Sequence, residues 1–191
     1  MLASLVSAIA LSLAGAGEAD AAELWALLAR GDQVLLVRHA STAPGVGDPP
    51  GFRRGDCATQ RNLSADGRAE AARLGTALRA RGVPVGRVLS SRWCRCLETA
   101  RLAFGEADGW PPLDSLFADR SREREQTAAV REAIAAHGPR GGTLVLVTHG
   151  ANIAALTGVH PAPGELLVLT PRGGDFTVRG RIAPAALEAR K

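Results

Sequence analysis

Two runs of four apolar residues, Val34–Val37 and Leu144–Val147, are each bounded by polar positions. A run that short, apolar at every position rather than at alternate ones, predicts a strand buried on both faces, as in a parallel sheet. Val85–Leu89, Leu166–Leu169 and Phe176–Val178 read as further strands. Between them the apolar spacing becomes helical. Leu24, Leu27 and Leu28 share one face of a helix that Asp20 caps, with Glu23 three residues on, and that Gly31 ends. Ser64 caps a second helix running to about Arg81, closed by Gly82 and Pro84. Trp93–Ala103 reads as a third. Ser121 opens a fourth, with Val130, Ala133, Ile134 and His137 on one side and Gly138-Pro139 at its end, and Asn152–Leu156 is a short fifth. Strands alternating with helices predict an α/β fold, a three-layer sandwich with a mostly parallel central sheet. The stretches 40–62 and 105–118 read as irregular, the first rich in Pro and Gly. A loop of that length in a compact domain is usually functional or mobile.

The N-terminal segment, MLASLVSAIALSLAGA, departs from this pattern: it is small and apolar, with no charge before Glu18. It is too short to cross the roughly 30 Å bilayer core as a helix, and it matches the core of a signal peptide. Ala14-Gly15-Ala16 supplies a small-x-small cleavage site. Residues 1–19 are therefore expected to be a signal peptide and 20–191 the folded domain, periplasmic or secreted. No Lys or Arg precedes the apolar core, so a mis-called start, and with it a cytoplasmic protein, is the alternative.

Composition narrows the function. With 191 residues, 46% of them hydrophobic and 22% charged, the chain fits one globular domain and excludes a disordered or collagen-like chain. Its formal net charge of +4 is carried by arginine, Lys191 being the single lysine. Four Phe, three Trp and no Tyr leave no aromatics interleaved with basic residues, so no nucleic-acid partner is expected. No stable membrane insertion is expected either. Arginine's planar fork suits phosphate and carboxylate.

The two apolar runs end alike, in Arg38-His39-Ala40 and Thr148-His149-Gly150. In open α/β sheets ligands bind beyond the carboxyl ends of the strands, so neighbouring strands would bring both imidazoles to one crevice. Arg38 and His39 share that crevice only if the strand ends between them, since successive strand residues face opposite ways. Ser91-Arg92-Trp93-Cys94-Arg95 is again a strand end entering a helix, where arginines and free N–H groups make an anion site.

In order along the chain, Arg38-His39-Ala40-Ser41-Thr42, Leu63-Ser64-x-x-Gly67-Arg68, Ser91-x-x-x-Arg95-x-x-x-Thr99-Ala100 and Thr148-His149-Gly150 resemble the motifs of the histidine phosphatase superfamily, the phosphoglycerate-mutase-like fold. The resemblance spans residues 34 to about 170 and points to the phosphatase branch. It implies His39 as the nucleophile, with Arg38, Arg95, Thr42 and His149 around the phosphate, His149 protonated once phosphate is bound. It also selects Arg95 over Arg92, which composition does not. Ala40 stands where the family usually has glycine.

The family places its leaving-group acid in different ways. Gly150-Ala151 closes the position after the second histidine, so Asp114 is the candidate donor and Asp119 the second choice. Without a donor, acyl- or phosphohistidine-type phosphates would be favoured. No metal or other cofactor is implied. An exported chain is expected to form a disulfide from Cys57 to Cys94 or Cys96; Cys96 sits where the family has a small buried residue, which favours Cys94. Arg53, Arg54 and Arg61 are candidates for a second anionic group, while His137 and His160 read as structural or exposed. The expected activity is hydrolysis of a small phosphorylated substrate, an envelope sugar phosphate suiting an exported member. A non-catalytic phosphate sensor and a phosphomutase are the alternatives.

Overall fold

The computed structural model describes residues 16–138 and 140–187, with side chains from Ala21 onward. The strands are β1 (Val34–Arg38), β2 (Val85–Ser90), β3 (Asp108–Gly109), β4 (Thr143–Thr148), β5 (Leu166–Arg172) and β6 (Asp175–Ile182). The helices are α1 (Ala16–Ala29), α2 (Ala65–Ala80), α3 (Cys94–Phe104), α4 (Glu123–Ala135) and α5 (Gly150–Thr157). One sheet runs in the order β3-β2-β4-β1-β5-β6, parallel from β3 to β1, with β5 pairing antiparallel to both β1 and β6.

The strict side-chain alternation of a strand builds two cores from one run of residues. Leu35 and Val37 of β1 and Val145 and Val147 of β4 point to one face, with Leu28, Leu74 and Leu78 of α1 and α2 and Ala100 of α3. Val34, Leu36, Leu144 and Leu146 point to the other, against Val130 and Ile134 of α4 and Ile153 of α5. The result is an α/β three-layer sandwich with a mixed, mostly parallel sheet.

Some boundaries differ from the sequence reading. The first helix begins at Ala16 rather than after Asp20. The fourth begins at Glu123 rather than at Ser121, because Asp119 accepts the Ser121 N–H at 2.8 Å and holds a turn before the helix starts. The stretch 105–118 is ordered as β3 and a 3₁₀ turn at Pro111–Leu113. Of the expected signal peptide, residues 1–15 lie outside the described residues. No helix among the described residues is long and apolar enough to cross a membrane.

Candidate active site

β1 and β4 pair in parallel with Arg38 opposite Thr148, so the next residue of each strand is a histidine. The His39 N–H donates to Thr148 O at 2.9 Å, and the two rings meet edge to face, 5.3 Å between centroids. β2 flanks β4 on its other side, and the Ser91 N–H donates to Val147 O at 2.9 Å, which places the start of α3 beside His149. Ser91 Oγ and His149 Nε2 are hydrogen-bonded at 2.8 Å.

His39 is buried, and its Nδ1 lies 2.8 Å from the Ala40 carbonyl. A carbonyl only accepts, so Nδ1 carries the proton and Nε2 keeps its lone pair. Burial, with a smaller contribution from Arg95, Arg38 and Arg61, pushes the imidazole down to about 3, against the pull of the Ala40 hydrogen bond. His149, buried beside His39 and the same arginines, is also held well below the ordinary imidazole range. Both rings are neutral in the free protein at neutral pH. No non-glycine residue among those described has a positive φ, so alanine at position 40 imposes no backbone strain.

A cavity of about 480 Å³ opens over these rings, lined by Arg38, His39, Arg61, Arg95 and His149 among others. Arg38 reaches it because β1 ends at that residue. Its Nη1 donates to Pro161 O at 2.6 Å, and its guanidinium lies against Gly150, where a Cβ would come within 3.4 Å. Arg95 projects from the first turn of α3, and its two terminal nitrogens grip Asp48, Nη1 to Oδ1 at 2.6 Å and Nη2 to Oδ2 at 3.2 Å. The Nε atoms of Arg38 and Arg95 are buried without partners. Four guanidinium groups line the cavity (Arg38, Arg61, Arg95 and Arg120); Asp48 pairs with Arg95 and Glu123 with Arg120, which leaves an excess of two positive charges, enough to match a phosphate dianion.

Asp48 escaped the sequence reading. It also accepts from Trp93 Nε1 at 2.9 Å and Arg61 N at 3.0 Å. Burial alone would raise its carboxyl; Arg95 and these N–H donors outweigh that and hold it below the usual carboxylate range. A lone Asp in a Pro/Gly-rich loop carries no local signal of such a role.

The structure places the other expected residues as follows. Thr42 does not line the cavity; its hydroxyl accepts from Arg61 Nη1 at 2.7 Å and so anchors that arginine. Arg61 lines the cavity over the two histidine rings, whereas Arg54 turns to a neighbouring one. Asp114, the expected donor, lines that neighbouring cavity, with its oxygens taken by Arg92 N and Nε at 3.0 Å each and Arg54 Nη1 at 3.0 Å. Asp119 lines it too and is fully exposed at its carboxyl. His160 is exposed, as expected, and lines the cavity over the two histidine rings as well. Cys57 is bonded to Cys94, and Cys96 is free and buried, its thiol pushed up to about 12 by burial.

The Leu63-Ser64-x-x-Gly67 segment acts by packing. Ser64 caps α2 by accepting the Gly67 N–H at 3.0 Å, and its own N–H donates to Ser41 O at 3.1 Å. A Cβ on Gly67 would lie 1.8 Å from that Ser41 oxygen. Glycine lets the helix abut the backbone two residues beyond His39.

A family profile described as Histidine phosphatase superfamily (branch 1) matches residues 34–124. His149 lies past that stretch, and only the pairing of β4 with β1 brings it to His39. No curated protein sequence matches the chain significantly. Among solved structures, the chain is similar to the protein histidine phosphatase SixA complexed with tungstate (19% identity, 82% of this chain and 99% of that one, TM-score 0.58). It is also similar to phosphoserine phosphatase from Entamoeba histolytica in complex with 3-phosphoglyceric acid (14%, 82% and 99%, 0.57). A third is the alpha-ribazole phosphatase from Shigella flexneri (17%, 83% and 100%, 0.53).

Proposed function

The chain belongs to the histidine phosphatase superfamily, and from that premise we propose that it hydrolyses phosphorylated small molecules through a phosphohistidine on His39, without a metal. The observation that carries this is the tautomer: Nδ1–H is tied to the Ala40 carbonyl, so Nε2 offers its lone pair to a cavity with two excess positive charges. Nε2 attacks phosphorus as the bond to the leaving group breaks in line, and the leaving group takes the electron pair. Water then attacks the phosphohistidine, releasing phosphate and restoring the neutral ring. Phosphoryl transfer has a loose transition state, so catalysis comes mainly from position and positive charge around the equatorial oxygens. Arg38, Arg61 and Arg95 supply both. A phosphate dianion opposes the shift on His149 and favours its protonation, which adds a donor.

No carboxylate lines this cavity among the described residues, and Asp114 is committed to Arg92 and Arg54. That favours leaving groups that depart without an acid, such as acyl, aryl or N-phospho groups, over the alkoxide of a sugar phosphate, because a general acid is worth about 10²–10⁴-fold. The Cys57–Cys94 disulfide supports an oxidising compartment and, with it, export. Cleavage after Ala16 would retain Leu24 and Leu28, which are core residues of α1.

The test is turnover of p-nitrophenyl phosphate in excess EDTA, with acid-labile phosphate trapped on the protein. His39→Ala should abolish both. Turnover by that variant removes His39 from the reaction, and wild-type protein that binds phosphate but hydrolyses no ester is a sensor.

A further inference from the structure

Next to the phosphate cavity lies a second one of about 590 Å³, and the two share Val46, Gly47, Ser115 and Phe117 along a common crest. Val46 and Phe117 are large apolar side chains left in water, 87% and 60% exposed. The far wall is aromatic. The Phe52 and Trp93 rings lie 5.8 Å apart, and the Arg54 guanidinium sits 5.6 Å from the Trp93 ring.

The two cavities differ in charge. Around the second, every guanidinium has a carboxylate: Arg54 and Arg92 share Asp114, and Arg122 holds Glu125. On the lining itself two guanidinium groups, Arg54 and Arg122, stand against three carboxylates, Asp48, Asp114 and Asp119. The phosphate cavity keeps its positive excess, whereas the second keeps none.

We propose that this second cavity is the leaving-group subsite and that it takes an uncharged, planar aromatic group whose phosphoryl end lies at His39. The proposal rests on the phosphatase reading above and adds the class of leaving group. A planar ring crossing the crest removes Val46 and Phe117 from water and meets Phe52 and Trp93 in the offset or edge-on contacts that aromatic rings prefer. A second anionic group, such as a carboxylate beside the phosphoester, meets only guanidinium groups already paired. An aryl or imidazole-type leaving group also departs without the acid that the phosphate cavity lacks.

The experiment compares kcat/KM for 1-naphthyl phosphate, 4-carboxyphenyl phosphate, phenyl phosphate and acetyl phosphate. Wild-type protein is set against Phe52→Ala and against Phe52→Leu, which keeps bulk against Trp93 and loses the ring. The ratio of naphthyl to acetyl phosphate should fall about five- to tenfold in Phe52→Ala, the worth of roughly 40–55 Å² of apolar contact, and should fall in Phe52→Leu as well. Wild-type protein should prefer phenyl over 4-carboxyphenyl phosphate by about fivefold or more. A ratio unmoved in both variants, or equal use of the two phenyl esters, overturns the proposal. Should wild-type protein hydrolyse none of the four, the phosphatase reading fails, and the subsite is judged by binding alone. In that case 1-naphthylphosphonate must bind more tightly than methylphosphonate, and equal affinity overturns the proposal.

Discussion

Asp48 holds Arg95 through both ends of its guanidinium, at 2.6 and 3.2 Å, with the two side chains 8% and 4% exposed. Arg95 of α3 is thus aimed by a residue from the loop after His39. Removing one member of a buried pair leaves an uncompensated charge, here inside a cluster of cations. Asp48→Ala should cost about 3–5 kcal/mol in urea unfolding. Inorganic phosphate should then raise Tm more in the variant than in wild-type protein, because an added anion takes the carboxylate's place. An equal rise in both would show that Asp48 does not neutralise the site.

The Cys57–Cys94 bond ties that same loop to the first residue of α3. Gln60 Oε1 reinforces the tie by accepting the Cys94 N–H at 3.0 Å. With a sequence separation of 37, the bond is worth about 4 kcal/mol in the chain-entropy account. Cys57→Ser should lose about that much stability. It should also lower kcat/KM by about 10- to 100-fold, because Arg61, Asp48 and Arg95 lose their common anchor. Unchanged kinetics in a folded variant would separate the disulfide from the site.

Gly67 allows no side chain, since a Cβ would meet the Ser41 carbonyl at 1.8 Å. Backbone, not a movable rotamer, stands in the way. Gly67→Ala should cost about 2–3 kcal/mol and shift the Ser41–Thr42 segment. Denaturant unfolding, together with loss of activity beyond that of a remote variant of equal stability, checks this.

The buried imidazoles make folding stability sensitive to acid. Both His39 and His149 bind protons less readily folded than unfolded. Unfolded, they take up protons below about pH 6.5. The unfolded state then binds more protons, so folding stability is intact above that pH and declines as pH falls toward the folded value of His39, about 3. The slope is up to about 1.4 kcal/mol per pH unit for each ring. Unfolding free energies from pH 7 to 4 should fall less steeply in His39→Ala than in wild-type protein. Parallel curves would show that the ring is not buried neutral.

By itself the sequence determined the local elements and the motif residues. The uninterrupted apolar runs at 34–37 and 144–147 specify doubly buried strands, and Ser64 and Gly82 mark the ends of α2, because periodicity and capping act within a few residues. A motif also singled out Arg95, which lines the cavity over the two histidine rings. Tertiary structure decided what joins distant residues. The parallel register of β1 with β4 sets the two rings 5.3 Å apart. The folded loop turns Thr42 onto Arg61 and Asp48 onto Arg95. Asp114 falls to Arg92 and Arg54 of the adjoining cavity, whose lining does not include His39. A carboxylate's partner is fixed by whichever guanidinium the fold brings within about 3 Å, and no spacing along the chain encodes that encounter.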